Sequence, residues 1–504
     1  MGDTVFLLGS IIVTLCSVIV FLVTFWIRSL SLFPGIYFHS QDMPFHVNAV
    51  FDMWKNGNRH IMSFDRLLIS PELGYPFLFH RLIAWIFNPK SFERLAHYVN
   101  PFLESLFNVV LFLITYFSFK GLGGTLFSSL LDAGKVSLLY IFAIPMFIST
   151  LVRLSHFGER GFAVITGSIA LLAVIYGVYL QSYWFFFIAV LFNIVVFQSS
   201  QFGAQAIVLI NIVYSFLIWD ARPFLSLLAS VLAMFIFLPR YFTRFVYFKY
   251  LHLVKFYFPT IKNNKRSMAW VYDSFFKKIL LKAPYFYVGL AASLFLVYRG
   301  NINPFIYLNM MMWNTSVIVC MIVYIPVFRC IGEAHRYLEF AMYSFLIITV
   351  TASNLLGNEY YWTVLLVFTV FHMLNNSYLD QLNKQYRDEN RYVNDLIAFL
   401  NCFQDKVILS IPNHVFTFYM MRLTSHRFVD GIYAKNVDKY YDVFETYQVP
   451  RADLDYIYNI YKFDFVVVDR KWLACSTKKY NFSWMRPVFA NKHFQVFTTD
   501  NGDE

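Results

Sequence analysis

The sequence predicts a polytopic α-helical membrane protein that ends in a small α/β domain. Three observations carry this reading. The 504 residues are 58% hydrophobic and only 14% charged, whereas a soluble domain carries about 25% charged residues. So few charges cannot cover a water-facing surface, and the mean hydropathy is +0.53. Apolar windows of about 20 residues, long enough to cross a bilayer as helices, recur along most of the chain. After residue 376 the pattern changes to mixed polar and apolar segments with short strand-like runs.

The first apolar segment, 5–27, is too long for a signal-peptide core and is followed by no small-residue cleavage motif, so it reads as a retained span. Further windows lie at 101–119, 136–152, 161–180, 183–197, 204–219, 224–238, 284–298, 304–328, 340–356 and 361–374. Together they make about eleven spans. No internal repeat is visible. The five cysteines (Cys16, Cys320, Cys330, Cys402 and Cys475) are odd in number and form no CxxC pair, so neither a disulfide framework nor a zinc site is read. The formal net charge is +11. Its Lys and Arg residues sit between spans, which points to lipid headgroups or anionic lipid-linked ligands as partners and not to nucleic acid.

Residues 1–376 therefore form the membrane domain and 377–504 a soluble domain. Segment 29–100, between the first two spans, is too polar to cross and too apolar for a solvated linker. Within it "LGYPFLFHRLIAWIF" (73–87) reads as an interfacial helix with Phe77, Leu78, Leu82 and Trp85 on its apolar side, or as an ordinary amphipathic connector. Segment 240–282 is a basic amphipathic loop. It holds ten Lys and Arg residues, Lys249 and Lys255 among them, against one acid, Asp273. The positive-inside rule alone makes it cytoplasmic. Counting spans makes it external, and we read it as a basic platform for phosphate-bearing carriers. In the tail, "KVILSI" (406–411), "FDFVVVD" (463–469) and "HFQVFTT" (493–499) read as strands, with helical patterns at 415–423, 437–447 and 451–461. No Gly-rich phosphate loop is present.

Ionisable residues beside spans are costly and so are functional candidates. The stretch "FHSQDMPFHVNAVFDMW" (38–54) follows the first span. Pro44 suits a first helical turn, which puts Asp42 and His46 on one face. Asp42 reads as a helix N-cap, as a general base, or as both. Asp52 lies near the opposite side of the helix, facing solvent or paired with Lys55 or Arg59. His46, His80 and His39 are either satisfied structural histidines or site residues. A metal on Asp42 and His46 would lack a visible third ligand. A second constellation, "CIGEAHRYLEF" (330–340), holds Glu333, His335, Arg336 and Glu339. Glu333 and Arg336 are spaced to pair, and a guanidinium fork suits phosphate oxygens. A third, "RLSHFGERGF" (153–162), adds His156, Glu159 and Arg160, or is simply a solvated turn.

In their order these features resemble the GT-C superfamily of membrane glycosyltransferases, which take a sugar from a polyprenyl-phosphate carrier. The resemblance rests on an acid after the first span ("QDMPFH"), a YP…H interfacial segment ("GYPFLFH"), an acid–x–x–Arg–aromatic turn ("GEAHRYLE") and an α/β tail with a strand like "FDFVVVD". It implies that Asp42 is the base or helps to bind the acceptor, and that Arg336 helps to hold the lipid phosphate. It implies a lipid-linked sugar donor, a glycan, lipid or protein acceptor, inversion at the sugar, and no certain metal cofactor. It also implies a bacterial inner membrane, with site and tail on the external side. The tryptophan–tryptophan–aspartate motif of metal-dependent oligosaccharyltransferases is missing, so that activity is not assigned. A polysaccharide polymerase or ligase, and a lipid or glycan transporter, are the competing readings. Charges gathered at span ends, not at mid-membrane, favour chemistry over transport.

Overall fold

The computed structural model describes residues 2–30, 43–57, 64–69, 75–143, 157–239, 246, 279, 283–300, 302–325, 328, 333–412, 415–430, 437–446, 449–450, 453–476 and 479–499. Each window read as a span overlaps a helix, from Gly2–Leu30 to Asn358–Leu400. Among the described residues six helical stretches are long and apolar enough to cross a membrane: Gly9–Leu30, Pro89–Gly121, Leu126–Ala143, Glu159–Tyr179, Gln201–Ile218 and Pro304–Tyr324. Shorter apolar helices are Tyr183–Ser199, Arg222–Phe237, Tyr285–Arg299 and Met342–Leu356. The chain is an integral membrane protein. Its helices expose large apolar side chains outward, such as Leu22, Phe117, Leu232 and Leu366. In a bilayer these faces meet lipid, which is as apolar as leucine.

Packing divides the chain into two units. One gathers the described parts of 1–33, 94–239 and 257–379; the other gathers those of 34–93, 240–256 and 380–504. In the first, helices approach closely where side chains are small. A Cβ on Gly167 would sit 2.6 Å from the Phe340 ring, so only glycine lets these elements touch. Gly357, at φ +112°, makes the turn from Met342–Leu356 into Asn358–Leu400. Some buried polar groups find partners within the helices, as the bilayer favours. Thr24 Oγ1 donates to the Val20 carbonyl at 2.6 Å, and Asn108 Nδ2 donates to Thr24 Oγ1 at 2.8 Å.

One span starts earlier than the sequence predicts, at Leu126 instead of 136. Asp132 and Lys135 depress the hydropathy of that stretch, yet they lie 4.0 Å apart and both are hydrogen-bonded. Lys135 Nζ donates to Asn354 Oδ1 at 2.7 Å and Asn358 Oδ1 at 2.9 Å. Asp132 accepts from Asn354 Nδ2 at 2.9 Å. The Asn358–Leu400 helix also runs on past its apolar window without interruption.

The second unit is built on a sheet with strand order β2-β1-β5-β7-β6. Here β1 is Val407–Ile411, β2 Arg427–Phe428, β3 Phe444–Thr446, β4 Val449–Pro450, β5 Phe465–Asp469, β6 Arg486–Ala490 and β7 Phe494–Thr498. β1 runs parallel to β2 and β5, with Ile408 opposite Phe465; β7 runs antiparallel to β5 and β6. β1 is wholly buried, and β7 alternates between buried and half-buried residues, as their sequence patterns predict. β3 and β4 form a separate antiparallel pair. β2, β3, β4 and β6 were not predicted. Three are too short to show a period, and β6 carries Pro487, which the edge position tolerates. The helix read at 437–447 ends at Val443, where β3 begins, and the one read at 451–461 starts at Leu454.

The outer side of β2 is not left open. Leu67 bridges to Phe428, Leu68 N donates to Phe428 O at 3.0 Å, and Phe428 N donates to Arg66 O at 2.8 Å. The first loop thus lends a short strand to the tail's sheet and covers its edge. Arg66 also donates from both terminal nitrogens to the carbonyls of Met421 and Thr424, at the end of the Val415–Leu423 helix. A cation is favoured there. Burial lowers the Arg66 pKa from the usual guanidinium range.

Candidate functional site

Asp42 and His39 lie outside the described residues, as do His156, Lys249 and Lys255. The helix that the first loop predicts is present as Met43–Lys55 with Pro44 in its first turn, and it carries His46 and Asp52. Its neighbour, Leu78–Ile86, carries His80. The two histidines meet: His46 Nδ1 and His80 Nε2 are 2.9 Å apart, with stacked rings at 5.1 Å. Both are buried, at 5% and 0% exposure. Tyr75, from the YP…H segment, lies 6.1 Å from the His46 ring and 6.2 Å from that of His80. This hydrogen bond needs an N–H on one ring and a lone pair on the other, so protonating both facing nitrogens breaks it. The pair therefore holds one shared proton on that edge.

For Asp52 the solvent-facing alternative is overturned, while Arg59, one of the partners read for it, lies outside the described residues. Asp52 is buried at 8% exposure, and Asn56 Nδ2 donates to its Oδ1 at 2.9 Å. The cause is packing: nearly every residue of Met43–Met53 is buried, so this short helix has no solvent face. Asn48, on the same helix, donates to the Phe418 carbonyl at 2.8 Å. In the interfacial helix the side that carries Trp85 is the outer one. Phe79, His80, Ile83 and Ala84 are buried, while Trp85 (79% exposed) and Ile86 point outward.

In the unit that holds most of the spans, the two span-end constellations come together on the short helix Arg336–Phe340. Arg336 donates from Nε to Glu333 Oε2 at 2.6 Å, and its Nη2 lies 2.5 Å from the same oxygen. This is the spacing-predicted pair. Arg336 also stands 5.6 Å over the Phe202 ring. His335 is buried, with Nε2 3.9 Å from Glu333 Oε2. One turn on, Glu339 accepts a short hydrogen bond from Arg160 Nη2. Arg160 is nearly buried, and its Nε and Nη1 have no hydrogen-bond partner among the described residues. Glu159 opens the Glu159–Tyr179 helix, where an acid meets the positive end of the helix dipole. The "GERGF" stretch is therefore no solvated turn.

Other buried ionic groups were not singled out from the sequence. Arg28 donates to the carbonyls of Ile141 (2.9 Å) and Tyr140 (3.2 Å), with Nε 3.9 Å from Glu104 Oε2; Tyr140 donates to the same carboxylate. A lone acid inside an apolar window marks Glu104. Arg28 is masked because a basic residue at the end of a first span looks like an ordinary flank. Among the described residues no group of three or more His, Cys, Asp or Glu is arranged to hold a metal ion.

No family model matches the chain, and no curated protein matches it in sequence. Solved structures do. ArnT from Cupriavidus metallidurans bound to undecaprenyl phosphate matches with a TM-score of 0.60 at 11% identity, covering 98% of this chain and 98% of that chain. The chain has an ArnT-like fold. ArnT from the same organism in the apo state matches at 0.58 and 12% identity, covering 99% of each chain. At such identity the likeness is one of fold. That fold accounts for the long first loop, the helical membrane part and the C-terminal sheet as parts of one architecture.

Proposed function

We propose that this protein is a membrane glycosyltransferase that moves a sugar from a polyprenyl-phosphate carrier to a glycan, lipid or protein acceptor. The observation that carries the reading is the full-length likeness to ArnT, solved bound to undecaprenyl phosphate. In this reading Asp42 takes the proton of the acceptor hydroxyl as that oxygen attacks the anomeric carbon. The bond from that carbon to the phosphate oxygen breaks, and its electron pair stays on the phosphate. Attack opposite the leaving group inverts the centre. Positive charge near the departing phosphate lowers the barrier. Arg336 and Arg160 are assigned that task, supported by the two unpartnered nitrogens of Arg160. The His46–His80 pair positions the first-loop segment that follows Asp42. The active site and the C-terminal sheet are placed on the external side of a bacterial inner membrane.

The test is sugar transfer by purified protein from a panel of polyprenyl-phosphate sugars. Asp42→Asn should lower turnover by roughly 10²- to 10⁴-fold, as loss of a general base does, while carrier binding stays near wild type. Undiminished turnover in Asp42→Asn removes that residue from the mechanism. Binding of polyprenyl phosphate should weaken roughly tenfold in Arg336→Ala, the effect of losing a charge-assisted contact. An unchanged affinity removes Arg336 from the carrier site.

A further inference from the structure

A cavity of about 820 Å³ opens in the sheet-bearing unit, lined by residues of the last turns of Asn358–Leu400, by Lys471 and by the turn between β6 and β7. Its lining holds four Lys and Arg residues against two acids. Arg387 and Arg391 are four positions apart on one helix and so share a face, where like charges repel. Lys492 comes from the β6–β7 turn. Among the described residues none of these three makes an ion pair.

The lining is also held in place. Asn491 Oδ1 accepts from the backbone of His493 (3.0 Å) and Phe494 (2.8 Å), and its Nδ2 donates to the Tyr392 carbonyl at 2.8 Å. That fastens the turn carrying Lys492 to the helix carrying Arg391. The His493 ring packs on Tyr392 at 4.8 Å. Lys471 is already engaged, 3.2 Å from Glu389, which also accepts from Gln385 at 2.9 Å. One of the two acids is thereby spent inside the lining. Elsewhere in this unit converging charges are matched, as with Lys406 and Asp464 at 3.1 Å or Arg422 and Glu93 at 2.7 Å.

Around this open volume the cations outnumber the acids by two, which makes the local potential positive and attracts an anion. We propose that this cavity binds a phosphate-bearing ligand. Guanidinium forks meet phosphate oxygens two at a time, and a dianion balances more than one of them. The volume exceeds that of a phosphate, leaving room for a sugar or a headgroup beside Tyr392. The ligand is either a soluble phosphorylated compound or the headgroup of an anionic lipid. This site uses none of the residues assigned to the transfer reaction and stands or falls apart from them.

The test is calorimetric titration of inorganic pyrophosphate into the full-length protein in phosphatidylcholine nanodiscs at low salt. Saturable binding is expected, weakened roughly tenfold in Arg387→Gln/Arg391→Gln, with the melting temperature unchanged. Lys479→Gln, an exposed cation elsewhere on the same unit, should leave affinity within about twofold. Repeating the titration in phosphatidylglycerol nanodiscs separates the two sources. Competition by that lipid, lost in the double variant, assigns a headgroup; no competition assigns a soluble ligand. The proposal is overturned by absent saturable binding, by wild-type affinity in the double variant, or by equal weakening in Lys479→Gln. It is equally overturned if the heat survives in the double variant and vanishes in Arg336→Ala.

Discussion

The two units differ in where their cations stand. In the unit that holds most of the spans, ionic groups are buried and joined: Arg160 to Glu339, Arg28 and Tyr140 to Glu104, Lys135 to Asn354 and Asn358. In the sheet-bearing unit Arg387, Arg391 and Lys492 stand exposed and unmatched. The difference follows from the solvent. Lipid offers no hydrogen bonds, so a charge there needs a protein partner or a bound ligand. Water hydrates an idle cation at little cost, so an open site can wait on the surface without destabilising the fold. Partly unpartnered arginines in the first unit are therefore exceptions: among the described residues Arg160 has two such nitrogens and Arg28 one.

Three substitutions test this contrast. Glu339→Ala strands the buried Arg160 charge and should cost about 3–5 kcal/mol, as breaking a buried pair does. It is read as lost thermal stability of the purified protein, and replacing both partners by leucine should recover most of the loss. A Glu339→Ala protein that melts like wild type would mean that lipid or water serves Arg160 as well as a carboxylate does. Lys135→Met keeps the packing but leaves two amide oxygens without their donor, for roughly 1–3 kcal/mol in the same assay. The smallest effect belongs to Arg387→Gln/Arg391→Gln, within about 0.5 kcal/mol. If that pair proves as costly as Lys135, the division between the units is wrong.

Hydropathy made the spans legible, because crossing a bilayer constrains nearly every residue of a helix. It failed locally at Leu126–Ala143, where Asp132 and Lys135 read as an end although Asn354, far along the chain, hydrogen-bonds both. The buried strands β1 and β5 stood out as continuous apolar runs, while β2 and β6 exist only through pairing with strands elsewhere in the sequence. Among the site residues, Glu333 and Arg336 were legible as a pair because helical spacing fixes them locally. His46 and His80 were legible only singly, since they stand 34 positions apart. Arg160 and Glu339 are 179 apart, and nothing in either motif names the other. Asp52 was placed outward by a helical wheel that presumes one wet side, which its helix does not have.

The strand that the first loop lends to the tail also carries a schedule. Asn48 donates to Phe418 across 370 positions, and Leu67 reaches Phe428 over a similar distance. At roughly 5–20 residues per second a ribosome takes on the order of 20–70 s to make the chain between them. During that time the loop is already outside the ribosome, without the segment that completes its hydrogen bonds. A fragment of residues 380–504 alone would present β2 as a bare edge, without the hydrogen bonds that the first loop supplies. The two ends of the unit must find each other after the spans between them have been inserted.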